Sequence, residues 1–188
     1  MTEIQALIVQ AINGALGQKL IIRNCKGDFI IAKSPTFTAN MTGTNAQKET
    51  RTRFSEAICY ARQALANPSL EKLYKKKATQ KRSAFNLACR DFMKPPEVQR
   101  IDLDNFSSKV GTTITVKAKD DFEINGVEIR IFDVEGQLLD QGFAKKDAIY
   151  HIRWVYTSPK DILKIPGCKI QAIAWDHAGN TGELEITR

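Results

Sequence analysis

The chain opens with apolar residues at helical spacing. Ile4, Leu7, Ile8 and Ile12 recur at i, i+3, i+4 and i+8, Thr2 stands where an N-cap belongs, and Asn13-Gly14 supplies a stop. This predicts a short first helix. Leu20-Ile21-Ile22 and Phe29-Ile30-Ile31 then flank Asn24-Cys25-Lys26-Gly27-Asp28, which predicts a β-hairpin around a glycine turn. Ser34-Pro35 ends it, and residues 36–46, rich in Thr and Asn, predict a loop. Over 47–66 the period becomes helical again, with Phe54, Ala57, Ile58, Ala61 and Leu65 on one stripe. Asn67 suits the N-cap and Pro68 the N1 position of a second long helix, predicted to run to about Met93. Leu70, Leu73, Tyr74, Ala78, Phe85, Ala88 and Phe92 supply its buried face, and Pro95-Pro96 closes it.

Beyond Pro95-Pro96 the period drops to two. Residues 112–118, 127–132, 148–154, 170–175 and 184–186 alternate apolar with polar, and Val134-Glu135-Gly136-Gln137 reads as a turn before Leu138-Leu139. Short strands at regular spacing with turns between them predict a β-sandwich. Neither an internal repeat nor a low-complexity tract interrupts the chain. The expected class is α+β in two domains. Residues 1–97 form a hairpin-plus-helices module, and residues 98–188 a sandwich.

Two stretches carry a family likeness. Ala118-Lys119-Asp120-Asp121 precedes Val127-Glu128-Ile129-Arg130-Ile131, and Ala172-Ile173-Ala174-Trp175-Asp176-His177-Ala178-Gly179-Asn180 stands near the end. On these, residues from about 99 to 188 resemble bacterial immunoglobulin-like domains. The resemblance implies an immunoglobulin-like β-sandwich and is nearly silent on function. The paired cysteines of antibody domains are absent, since Cys168 stands alone in this half. Gly14-Ala15-Leu16-Gly17, Ser34-Pro35 and the Gln47–Arg62 stretch resemble the opening of a family of small uncharacterised bacterial proteins, which implies no activity.

Charge sharpens the division. The 188 residues carry 28 basic and 21 acidic side chains, a net +7. Residues 1–97 hold 16 basic and 7 acidic groups (+9), and residues 98–188 hold 12 and 14 (−2). Such asymmetry points to two modules, one suited to an acidic partner. The surplus concentrates in Lys72, Lys75, Lys76, Lys77, Lys81 and Arg82, with no acidic residue among them. On one continuous helix, positions 72, 75, 76 and 79 share a face that Arg82 extends, and Lys77 and Lys81 form an adjacent row. Like charges four apart repel by a few tenths of a kcal/mol per pair, a cost that an oppositely charged partner would offset. Nucleic acid is one such partner, because each neutralised phosphate releases counterions. An acidic protein or a lipid surface serves equally, and a solvated lysine face is the ordinary alternative. No helix-turn-helix, zinc-finger or aromatic RNA-binding signature is present.

Catalytic chemistry is poorly represented. GxSxG, P-loop, HExxH and GxGxxG motifs are all missing. His151 reads as a structural residue on a strand, and His177 follows Asp176 in a turn. Asp120, Asp121, Asp176 and Asn180 are expected to gather at one pole of the sandwich, near the interdomain linker. Three roles are open to them. Hard oxygens suit Ca²⁺. Asp and Asn also bond their own backbone in turns. An acidic pole can equally dock on the basic module. No cofactor is expected. The four cysteines, Cys25, Cys59, Cys89 and Cys168, have neither CxxC spacing nor a close His, and read as reduced thiols of a cytoplasmic protein. No stretch approaches a membrane span, and Met1-Thr2-Glu3 does not open a signal peptide. The expected function is a non-enzymatic binding or adaptor protein engaging an acidic macromolecule. A structural subunit of a phage-derived or secretion-type assembly is the alternative, which makes oligomers possible, and an enzyme of unrecognised class comes third.

Overall fold

A computed structural model describes residues 14–16, 20–25, 28–35, 43–162 and 166–188, with no side-chain description for 14–16 and 22–29. The first helix predicted from Ile4 to Ile12 lies outside the described residues. The chain divides into two compact units, Met1–Thr44 and Asn45–Arg188. Pro95-Pro96, the expected boundary between 97 and 98, therefore lies inside the second unit. There it marks a change of secondary structure.

In the first unit the predicted hairpin is present. Strands β2 (Leu20–Cys25) and β3 (Asp28–Lys33) pair antiparallel from Leu20↔Lys33 to Cys25↔Asp28. A short strand β1 (Gly14–Leu16) adds to β2, so the segment after Asn13 extends the sheet.

The second unit opens with helix α1 (Asn45–Ala66). Its predicted stripe is correct in its centre: Ala57 and Ala61 are fully buried, whereas Phe54 at the N-terminal end is 53% exposed. The second long helix is in fact two. Helix α2 (Pro68–Lys77) starts as expected, with the Asn67 side chain accepting from the Ser69 and Leu70 amides and Pro68 in the first turn. It ends at Ala78, whose backbone is extended. Thr79 and Arg82 then exchange backbone hydrogen bonds, and Ser83 caps helix α3 (Ala84–Met93) by accepting from the Asn86 amide. The break follows from local competition. Thr79 and Ser83 offer the backbone side-chain partners outside the helix, while the lysine run weakens its continuation. The three helices bury a cluster centred on Ala57, Ala61, Tyr74 and Ala88.

Among the described residues, eight strands follow. One sheet has the order β4-β5-β9-β8, from β4 (Glu97–Asp102), β5 (Thr113–Lys119), β9 (Arg153–Thr157) and β8 (Lys145–Lys146). The other has the order β11-β10-β6-β7, from β11 (Thr181–Thr187), β10 (Lys169–Asp176), β6 (Ile124–Phe132) and β7 (Leu138–Phe143). All pairings are antiparallel. Alternation puts Ile114, Val116 and Trp154 of the first sheet into one core with Val127, Ile129, Ile170 and Ala172 of the second. Two adjustments mark where alternation misleads. The strand predicted over 148–154 begins only at Arg153, because Asp147 accepts from the Ile149 and Tyr150 amides and folds the preceding residues into a turn. That turn leaves Ile149 79% exposed and places His151 off the strand, exposed. Strand β4 was not foreseen; its bulge between Val98 and Arg100 breaks the period.

The segment between α3 and β4 packs closely on Gly182 in β11, where a Cβ would collide with the Pro96 carbonyl oxygen. Gly182 cannot yield without disturbing β11, nor Pro96 without shifting the start of β4 at the next residue. Gly182→Ala is expected to lower the unfolding free energy by about 1–3 kcal/mol, the usual cost of overpacking. Urea denaturation measures this, and an unchanged midpoint would mean the contact is relieved freely.

Candidate functional site

The six basic residues do not share one helical face. Lys72, Lys75, Lys76 and Lys77 lie on α2, and Lys81 and Arg82 on the turn that follows it. The expected rows joining 72, 75, 76 and 79 to Arg82, and Lys77 to Lys81, are therefore broken at Ala78. All six are exposed, but their partners differ. Lys75 pairs with Glu71 at 2.6 Å, one helical turn back. Lys77 turns towards the sheets, donating to the Phe122 carbonyl at 2.8 Å and the Glu123 carboxylate at 2.9 Å, with its ammonium 4.4 Å from the Phe122 ring centroid. Lys75, Lys76 and Lys77 also occupy the last turn of α2, where cations are favourable against the helix dipole. Lys72, Lys76, Lys81 and Arg82 have no anionic partner among the described residues.

The Asp120, Asp121, Asp176 and Asn180 pole lies against the helices. Its design starts from Pro95-Pro96. In α3 the carbonyls of Asp91 and Phe92 would accept from residues 95 and 96, and neither proline has an N–H to give. The Asn180 side-chain amide from the β10–β11 turn supplies both bonds, at 3.0 Å to Asp91 and 3.2 Å to Phe92. Asn180 is itself held by Asp176, which accepts from its Nδ2 at 2.7 Å and its backbone amide at 2.8 Å. Beside this cap, Asp121 accepts from Arg90 Nη2 at 2.9 Å and Lys94 at 2.7 Å. Those bonds, Lys94 first, hold its carboxyl below the usual carboxylate range. Lys77 does the same to Glu123. Asp120 accepts from the Phe122 and Glu123 amides, forming a tight turn that presents the Phe122 ring to Tyr74, stacked 4.5 Å away.

Most carboxylate oxygens of this pole are engaged within the chain. Asp121 is committed to two ion pairs, one oxygen of Asp120 to its turn, and Asp176 to Asn180. Among the described residues no group of three or more His, Cys, Asp or Glu is placed to hold a metal ion. These residues bond the backbone of their own turns and contact the helices.

Behind the cap lies a buried polar chain. The Tyr60 and Tyr74 hydroxyls are 2.8 Å apart, and Tyr74 donates to the Asp91 carboxylate at 2.5 Å. Asp91 is fully buried, and among the described residues its other oxygen has no partner. Burial pushes its carboxyl up to about 7, reinforced by the nearby Asp176 and Asp120 charges and opposed by the Tyr74 bond. Asp176 is also raised, chiefly by burial. Sequence reasoning did not single out Asp91. The signal is its spacing: it falls four residues after Leu87 and three after Ala88, on the apolar stripe.

The histidines are apart. His177 sits edge-on to Phe122, 6.3 Å between centroids, while its neighbour Asp176 turns to Asn180. Cys59 is exposed, Cys89 and Cys168 are buried, and all three are free thiols; the Cys25 side chain lies outside the described residues. Among the described residues no helix is long and apolar enough to cross a membrane.

No protein-family model and no curated protein matches the chain. Among solved structures it is similar to CopC from Methylosinus trichosporium OB3b, at 15% identity and a TM-score of 0.35, over 49% of this chain and 91% of that one. It is also similar to the Bifidobacterium dentium β-glucuronidase complexed with coumarin-3-O-glucuronide, at 17% identity and a TM-score of 0.32, over 50% of this chain and 16% of that one. Likenesses of this size carry no functional argument.

The Asp91 environment has a pH consequence. Its folded value, about 7, lies above the ordinary 3.8. As pH rises, the unfolded chain releases this proton first. Stability from Asp91 is therefore full below about pH 4, falls through the window up to about pH 7, and is flat above it. Asp91→Asn keeps an acceptor for Tyr74 and removes the titration. Thermal melts at pH 4, 6 and 8 are expected to show the variant gaining on the wild type as pH rises; parallel profiles would refute the assignment.

Proposed function

We propose that this is a non-enzymatic binding or adaptor protein in which an exposed basic surface engages an acidic macromolecule, nucleic acid being the partner favoured here. In this reading residues 98–188 are an immunoglobulin-like β-sandwich that holds the helices in place, and the protein is bacterial and cytoplasmic. The free thiols of Cys59, Cys89 and Cys168 fit a reducing compartment. The observation that carries the reading is the contrast among the basic residues. Lys75 and Lys77 are neutralised within the chain, whereas Lys72, Lys76, Lys81 and Arg82 stay exposed and unpaired among the described residues.

One observation favours the rival reading, a structural subunit of a larger assembly. Strand β7 is the outermost of its sheet, and Phe143 on it is 72% exposed with Leu138 at 44%. An open edge carrying apolar side chains is a template for association. Light scattering over a concentration series separates the two, since the assembly subunit requires a discrete oligomer.

The basic surface is tested by the fourfold variant Lys72→Gln, Lys76→Gln, Lys81→Gln, Arg82→Gln. Retention on a double-stranded oligonucleotide is expected to fall, and the slope of log affinity against log salt to shrink by roughly 0.9 per lost phosphate contact. Stability should move by no more than about 0.5 kcal/mol, as for ordinary surface changes. Unchanged retention rejects the reading, and partner capture from lysate that survives nuclease assigns an acidic protein instead.

A further inference from the structure

We propose that the open face of the β4-β5-β9-β8 sheet is a binding site for a small phosphate ester, separate from the helical basic residues. The register places Arg100 opposite Lys117, and Lys117 opposite Arg153. Three cations therefore stand in one row across three adjacent strands, spanning about 10 Å at the usual strand spacing. Their chain neighbours Ile101, Val116 and Trp154 point into the core, so the row faces outward. Like charges directly opposite on paired strands destabilise a sheet. Among the described residues Arg100 has a counter-ion, Asp102 at 3.3 Å, and Lys117 and Arg153 have none. The Arg153 guanidinium lies 4.5 Å from the Tyr150 ring centroid, which restrains its plane.

The row lines a groove of about 440 Å³, which also receives Thr113, Thr115 and Asn105. This falls within the range of roughly 300–1,000 Å³ seen for small-molecule sites. The groove has two chemical ends. Lys117 and Arg153 offer only donors and positive charge, the complement of a phosphoryl group. Asp102 and Asp104 line it as well and repel a phosphate from their side, but accept hydrogen bonds from hydroxyls. A ligand with one phosphoryl group and several hydroxyls, such as a sugar phosphate, satisfies both ends and cancels the repulsion within the row. Double-stranded nucleic acid would instead set phosphates against the two carboxylates.

Isothermal titration of the full chain with glucose 6-phosphate, inorganic phosphate and glucose tests this. Saturable binding of the sugar phosphate is expected, weaker binding of inorganic phosphate, and none of glucose. Lys117→Gln with Arg153→Gln should weaken sugar phosphate binding by roughly tenfold or more, the loss expected for charge-assisted hydrogen bonds. The fourfold helical variant should bind as the wild type does. No binding of either phosphate at millimolar concentration overturns the site, as does undiminished binding by the double variant. Equal affinity for inorganic phosphate overturns the ester assignment. Loss in the helical variant alone moves the anion to α2, leaving the helical reading standing while this one fails.

Discussion

Two prolines without amide hydrogens determine how this protein is joined. Pro95-Pro96 stops α3 and leaves the carbonyls of Asp91 and Phe92 without their helical donors. Buried carbonyls need partners, and leaving them bare costs about 1–3 kcal/mol each. The Asn180 amide satisfies both from a turn that is remote in sequence. Helix end and sheet turn thus complete each other, which explains why helices and strands fall in one compact unit although their compositions differ. The Asp176 bonds that fix Asn180 serve the helix as much as their own turn.

The charge asymmetry takes on a second meaning beside this joint. Lys77, Arg90 and Lys94 meet Glu123 and Asp121 across it. Each pair is partly exposed, and such pairs contribute little individually, about 0–1 kcal/mol. Their value is in orientation. The Phe122 ring, seated on Tyr74 and flanked by the Lys77 ammonium, adds an aromatic contact across the same joint. Part of the basic surplus is therefore internal bookkeeping between helix and sheet, and only the residues facing away from the joint are free for a partner.

How far the sequence reveals all this depends on the range of each interaction. Helix α1 and strands β5, β6, β10 and β11 follow from periodicity, because burial every third or fourth residue, or every second, is written directly into side-chain order. The hairpin at 20–33 follows from two apolar runs around a glycine turn. The break at residues 78–83 was not read, since apolar spacing continues through it via Ala78 and Phe85 and conceals the Thr79 and Ser83 bonds. The strand shift at 148–152 has a similar origin: Asp147 overrides an alternating pattern by capturing two backbone amides. The pole residues were legible as a group from the expected topology. Their partners Arg90, Lys94 and Asp91 were not, because contacts between distant segments leave no local period.

The buried chain from Tyr60 through Tyr74 to Asp91 runs among the three helices, behind the joint. A carboxylate inside an apolar helical cluster is unfavourable when ionised, and Asp91 has only one strong donor to offset this. Asp176, also buried, adds a second negative charge across the same joint. Replacing both by apolar groups would relieve the repulsion, but it would release Asn180 and reopen the end of α3. The polar chain therefore ties α1, α2 and α3 to one another, while Asn180 ties the end of α3 to the β10–β11 turn.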